Sequence, residues 1–184
     1  LKVLRNYFTL FSIAGLIIAL DQWTKYLVRA NLPYNSTWLP ESWVHLEEHF
    51  RVVHWYNTGA AFGLFKNGSA IFTALAFVVA IAIIWFYGQV EPSDYLLRIP
   101  LAMQLGGAVG NLIDRLLLAG KVTDWISIGK FAVFNVADAS ISVGTALMLI
   151  GVWILEKKEK QARAESDPQA KSETGSPSET QASA

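Results

Sequence analysis

The stretch Gly106–Gly120, "GGAVGNLIDRLLLAG", sets an asparagine, an aspartate and an arginine inside a run that otherwise reads as apolar helix. A charge taken out of water must be paired or reach solvent, so Asn111, Asp114 and Arg115 are candidates for a special role. Reading outward from this run gives both the fold and the function.

The chain of 184 residues is 53% hydrophobic and only 16% charged, with a mean hydropathy of +0.33, which is too apolar for an ordinary soluble domain. Net charge is zero, so no basic surface argues for a nucleic-acid partner. There is no cysteine, which excludes disulfides, thiolate metal sites, a cysteine nucleophile and lipid attachment through sulfur. A window of about 19 residues finds four apolar segments of spanning length, roughly Phe8 to Val28, Ala70 to Tyr87, Leu96 to Ala119 and Asn135 to Leu155. The expected fold class is therefore a membrane all-α protein of four transmembrane helices. The first segment lacks a small-residue cleavage site after its apolar heart and is read as a helix, not as a secretory leader.

Lysine and arginine set the orientation. With both termini cytoplasmic, the inner side holds Lys2, Arg5, Arg98, Lys157, Lys158 and Lys160, against Arg51, Lys66, Lys121 and Lys130 outside. The first outer loop, about Asn31 to Ser69, contains the β-prone "FRVVHWY" between turn signals, so a small extracytoplasmic β-platform is expected in that loop. Trp23, Trp38, Trp43, Trp55 and Trp125 cluster at the same level, as interfacial aromatics do. The short "GQVEPSD" makes a hairpin of the second and third helices. The polar tail Glu156–Ala184 cannot bury a core and is expected to be disordered, leaving residues 1–155 as the membrane-embedded domain.

On this topology the polar residues gather at the outer helix ends: Asp21 and Lys25, Asn111 with Asp114 and Arg115, Asn135 with Asp138, and Asp124 in the loop between the last two helices. Steps of three and four put Asn111, Asp114 and Arg115 on one face with Gly107. Gly106, Gly107 and Gly110 remove bulk, so a neighbouring helix or an extended peptide can come close. Asp21 and Lys25 form an i, i+4 pair that is either a simple ion pair or part of a site. Asp114 and Arg115 read either as a buried pair fixing helix packing or as groups orienting others. Asn57 in "NTGAAFG" reads most simply as a turn former. Asp124 and Asp138 lack an obvious local basic partner and can meet at the membrane boundary.

Two close aspartates cannot both ionise cheaply, which makes one an acid and the other a base. Such a pair can activate water and protonate a leaving amine without a nucleophilic side chain or a metal. His45 and His49 stand in "HLEEH", which lacks the HExxH order of zinc proteases; no G-x-S-x-G elbow, P-loop or G-x-G-x-x-G is present. The rival from another class is a small proton-coupled transporter, which would need polar residues at mid-depth.

The blocks "DQWTK" from Asp21, "NTGAAFG" from Asn57, "GGAVGNLIDR" ending at Arg115, "VTDW" around Asp124 and "FNVAD" ending at Asp138 resemble, in that order, the lipoprotein signal peptidases (signal peptidase II). The resemblance covers about residues 5 to 155. It implies an enzyme of the bacterial cell membrane that cleaves prolipoproteins before a diacylglyceryl-modified cysteine, with Asp124 and Asp138 as the catalytic pair. It further implies Asn111, Asp114, Arg115 and Asn135 as polar support, Asp21, Lys25 and Asn57 in structure or substrate placement, and inhibition by globomycin. Trp125 departs from the family, which more often has phenylalanine there. The expected state is a monomer in membrane lipid, with no cofactor and no metal.

Overall fold

The computed structural model describes residues 2–58 and 68–166. It has four long helices: α1 (Lys2–Asn31), α2 (Ser69–Tyr87), α3 (Tyr95–Leu117) and α4 (Val136–Ser166). Within them Asn6–Asn31, Ser69–Tyr87, Tyr95–Leu117 and Val136–Arg163 are long and apolar enough to cross a bilayer. The four expected spans are all present, but their ends differ, because hydropathy sees only the apolar part of a helix whereas polar residues of good helix propensity prolong it. α1 begins at Lys2 rather than Phe8. α4 continues through "EKKEKQARAES", so the tail expected to be disordered from Glu156 is helical as far as Ser166. Arg163 pairs there with Glu159 at 2.6 Å, one turn back. Residues 167–184 of that tail lie outside the described residues.

α3 is the central helix: 61% of its apolar stretch is buried, against 11 to 17% in the others. α1, α2 and α4 all pack on it, while α2 and α4 hardly touch each other. An apolar core of Leu10 and Ala14 from α1, Ile83 and Tyr87 from α2, and Leu101 and Leu105 from α3 fills the half of the bundle near the α2–α3 connection. At that end the buried Arg98 donates to the Val90 carbonyl at 2.9 Å and to Asn6 Oδ1 at 2.8 Å, and lies 4.0 Å from the centre of the Tyr87 ring.

α3 stops at Leu117, before the expected Ala119, because the chain turns through left-handed backbone at Ala119 (φ +51°) and Gly120 (φ +86°). The Gly120 N–H closes the turn on the Arg115 carbonyl at 2.7 Å. The Ser69 hydroxyl donates to the Gly120 carbonyl at 2.7 Å and so ties the start of α2 to the end of α3. A Cβ on Gly120 would overlap that hydroxyl. Gly120→Ala is therefore expected to lower stability by about 1–3 kcal/mol, read as a lower thermal midpoint in detergent.

At the end of the bundle where α1 and α3 finish and α2 and α4 begin lies an antiparallel sheet in the order β1 (Thr37–Trp38), β2 (Phe50–Asn57) and β3 (Val122–Ile128). "FRVVHWY" forms β2, as expected. The sheet is not confined to the first long loop, however: β3 comes from the α3–α4 connection and carries the "VTDW" block. That strand escaped the sequence reading because a carboxylate occupies one of its inward positions and breaks the apolar alternation. A short 3-10 helix, Glu41–Leu46, joins β1 to β2. His45 and His49 are both exposed.

Candidate active site

The start of α4 is built by its own sequence. Asn135 caps it: its Oδ1 accepts the Asp138 N–H at 2.9 Å while Asp138 Oδ2 accepts the Asn135 N–H at 3.2 Å, a reciprocal capping box in "NVAD". Asp21 Oδ1 takes a further helix N–H, that of Ala137, at 2.9 Å. The other face of Asn135 points at β3, where its Nδ2 donates to Asp124 Oδ1 at 2.7 Å, to Asn111 Oδ1 at 3.1 Å and to the Thr123 carbonyl at 3.3 Å. One residue thus holds both aspartates, Asp138 through its backbone and Asp124 through its side chain.

The remaining carboxylate oxygens are also fixed. Asn111 Nδ2 donates to Asp138 Oδ1 at 2.7 Å, and Asn57 Nδ2 to Asp124 Oδ2 at 3.2 Å. Asn57 reaches Asp124 because it ends β2 opposite Val122, two residues along the same face of β3. It is a ligand of the carboxylate, not merely the turn former of the simplest sequence reading; Gly59–Gly63 of its block lie outside the described residues. Asp124 is 2% exposed. Its carboxyl is pushed up from the ordinary 3.8 to about 7, first by burial and then by the negative charge of Asp138, against the opposing pull of the Asn57 and Asn135 donors and the Lys25 charge.

Asn57, Asn111, Arg115, Asp124 and Asp138 form the polar floor of a cavity of about 480 Å³. Its walls are apolar: Phe72 of α2, Val122 of β3, Phe131 and Phe134 before α4, and Ile141 and Val143 on α4. The volume and lining are those of a small-ligand or peptide site. Among the described residues α2 and α4 hardly touch, and the cavity lies between them beside α3.

Asp21, Lys25 and Asp114 do not line this cavity; they stand behind it. Lys25 and Asp21, both fully buried, pair at 2.8 Å, and Lys25 also reaches Asp114 at 3.5 Å and donates to Asn111 Oδ1 at 2.9 Å. Asp114 does not pair with Arg115. Successive helical residues point about 100° apart, and Asp114 faces α1, where Arg29 approaches it at 3.4 Å and Gln22 at 3.3 Å. Arg115 instead faces the cavity, within electrostatic range of Asp138, Asp124 and Asp114. Gly107 and Gly110 do not open a path for a peptide. A Cβ at Gly107 would lie 2.5 Å from the Ala137 carbonyl oxygen, and one at Gly110 2.8 Å from Asp21 Oδ2, so both let α4 and its capping groups close on α3.

Sequence reading missed Gln22, Arg29 and Thr123. The signal was available for the first two, which share the α1 face of Lys25 at steps of three and four. Among the described residues the buried acids, Lys25 and His54 gather at the sheet end, with Arg98 and Tyr87 at the other end of the bundle.

Fold and site together define a multi-pass membrane protein with a carboxylate pair at the floor of an apolar cavity. The profile of the family described as "Signal peptidase (SPase) II" matches residues 13–154. The lipoprotein signal peptidase of Moorella thermoacetica is 40% identical over 136 residues, 74% of this chain and 87% of its own. That of Anoxybacillus flavithermus is 34% identical over 159 residues, 85% of this chain and 92% of its own. A bacterial membrane enzyme solved by the in meso method at 2.3 Å superposes with a TM-score of 0.69 at 26% identity, over 79% of this chain and 87% of its own. The chain belongs to the signal peptidase II family and is a membrane-bound protease.

Proposed function

We propose that this protein removes signal peptides from prolipoproteins as an aspartic endopeptidase, cutting before a diacylglyceryl-modified cysteine, with Asp124 and Asp138 as the catalytic pair. One observation carries the reading: carboxylates from β3 and α4 are both tied to Asn135 on the floor of a single apolar cavity. Asp124, whose carboxyl is pushed up to about 7, carries the proton of the pair. Asp138 is the ionised partner, supported by two N–H donors at the positive end of the α4 dipole.

Asp138 takes a proton from water as its oxygen attacks the scissile carbonyl carbon, and Asp124 gives its proton to the carbonyl oxygen. The gem-diol then collapses: Asp138 protonates the departing nitrogen, the C–N bond breaks, and one diol hydroxyl returns a proton to Asp124. Both carboxyls end as they began. Arg115 sets a positive potential at the cavity floor where the oxygen gains charge. The apolar walls receive the signal helix and acyl chains. Both termini are cytoplasmic and the sheet end is extracytoplasmic, which puts the dyad at the depth where a lipid-anchored substrate presents its bond. The protein works as a monomer in the membrane, without cofactor or metal, and globomycin competes for the cavity.

Protein purified in detergent should convert a lipidated precursor to a product whose mass places the cut just before the modified cysteine, and globomycin should stop it. Precursor left uncut, or an unlipidated precursor cut equally well, would overturn the reading. The pH profile is a second test. Asp124 holds its proton below about 7 and loses it above, leaving two anions and no acid. kcat/KM is therefore expected to fall by about tenfold per pH unit on the alkaline side of that value; a rate still rising through pH 9 would contradict the assignment.

A further inference from the structure

The proposed mechanism needs Asp124 held in place, yet Asp124 rides on a strand that contacts the helices only sparingly. The residue beside it, Thr123, supplies the anchorage. Thr123 is fully buried, and because side chains alternate along a strand it points away from the cavity into which Asp124 faces. Each of its polar groups is taken by a different helix. Its N–H donates to Asp114 Oδ2 of α3 at 2.8 Å, its carbonyl accepts Asn135 Nδ2 from the start of α4 at 3.3 Å, and its hydroxyl accepts Arg29 Nη1 of α1 at 2.9 Å. The same Arg29 nitrogen lies 3.4 Å from Asp114 Oδ1, so Arg29, Asp114 and Thr123 close a ring.

The geometry points to Arg29 as a positioning residue for catalysis, the clamp that locks β3, and with it the Asp124 carboxyl, onto α1 and α3. This inference rests on the aspartic reading above. Arg29 does not line the cavity and keeps 24% of its side chain exposed, so it touches neither substrate nor the reacting atoms. Its removal leaves Asp114 with Lys25, Gln22 and the Thr123 N–H, which is enough to satisfy that buried carboxylate. What is lost is the hold on the back of the strand. A displacement of about 1 Å in a reacting group can cost on the order of a hundredfold in rate.

The experiment is a double-mutant cycle with a lipidated precursor, comparing Arg29→Ala, Thr123→Val and the double variant, together with Arg29→Lys and Asp138→Asn. Arg29→Ala should lower kcat by about tenfold or more while KM stays within about twofold and the thermal midpoint stays near the parent's. Thr123→Val should show a comparable loss, and the double variant should be no worse than the poorer single, because both break one contact. Arg29→Lys, which keeps the charge and a nitrogen donor, should recover part of the rate. Parental kcat in Arg29→Ala, a raised KM with kcat unchanged, or losses that multiply in the double variant would each overturn the clamp. If Arg29→Ala does not fold, Arg29→Lys and Thr123→Val decide by the same kcat-against-KM criterion. Asp138→Asn separates the two levels: a cleaving Asp138→Asn sinks the aspartic reading itself, whereas an inert Asp138→Asn beside a fully active Arg29→Ala sinks the clamp alone.

Discussion

Asp138→Asn will process no measurable precursor, a loss of about 10³-fold or more, while still folding into the membrane. The amide cannot take a proton from water, so the first step has no base. Folding survives because the carboxamide keeps one acceptor for the two donors that now meet Asp138, the Asn135 N–H and Asn111 Nδ2. One of those bonds is lost, at a cost of about 1–3 kcal/mol. Asp124→Asn will be equally inactive for the opposite reason: it offers no acid proton, and the donors Asn57 and Asn135 compete for its single oxygen. Cleavage assays should be paired with thermal unfolding of each variant. Either variant retaining more than a few per cent of the parental rate would remove the dyad.

Lys25→Met will be the most damaging substitution away from the cavity. Lys25 is fully buried between Asp21 and Asp114, and it also orients the Asn111 amide by donating to its oxygen, which leaves the Asn111 NH₂ facing Asp138. Removing one member of a buried ion network strands the others in a poor dielectric and costs about 3–5 kcal/mol. The expected result is little folded protein in detergent, scored by gel filtration and thermal midpoint. Lys25→Met combined with Asp21→Asn should recover part of the loss, since one stranded charge is gone. A single variant as stable as the parent would mean that Asp114 is satisfied by Arg29, Gln22 and Thr123 alone.

The four spans could be read directly because a bilayer demands about 20 apolar residues per crossing, and the two aspartates because nothing nearby in sequence neutralises them. The sheet was only half legible. β2 has the β-branched and aromatic residues of a strand, whereas β3 is interrupted by Asp124 itself. Asp114 and Arg115 are adjacent in sequence, but the helix sends them to opposite duties, one toward α1 and one into the cavity. The glycines could be recognised as points of close approach without showing what approaches; α4 does. Arg29 carries no motif, and its value arises only when α1, α3 and β3 converge on Thr123.

The gap between α2 and α4 has a consequence for turnover. If the proposed reading holds, a precursor's leader would enter sideways between them and stand against α3 as a temporary fifth member of the bundle. The spent leader would then leave by the same in-plane route. Exchange of leader for product would then require no helix of the bundle to be unpacked.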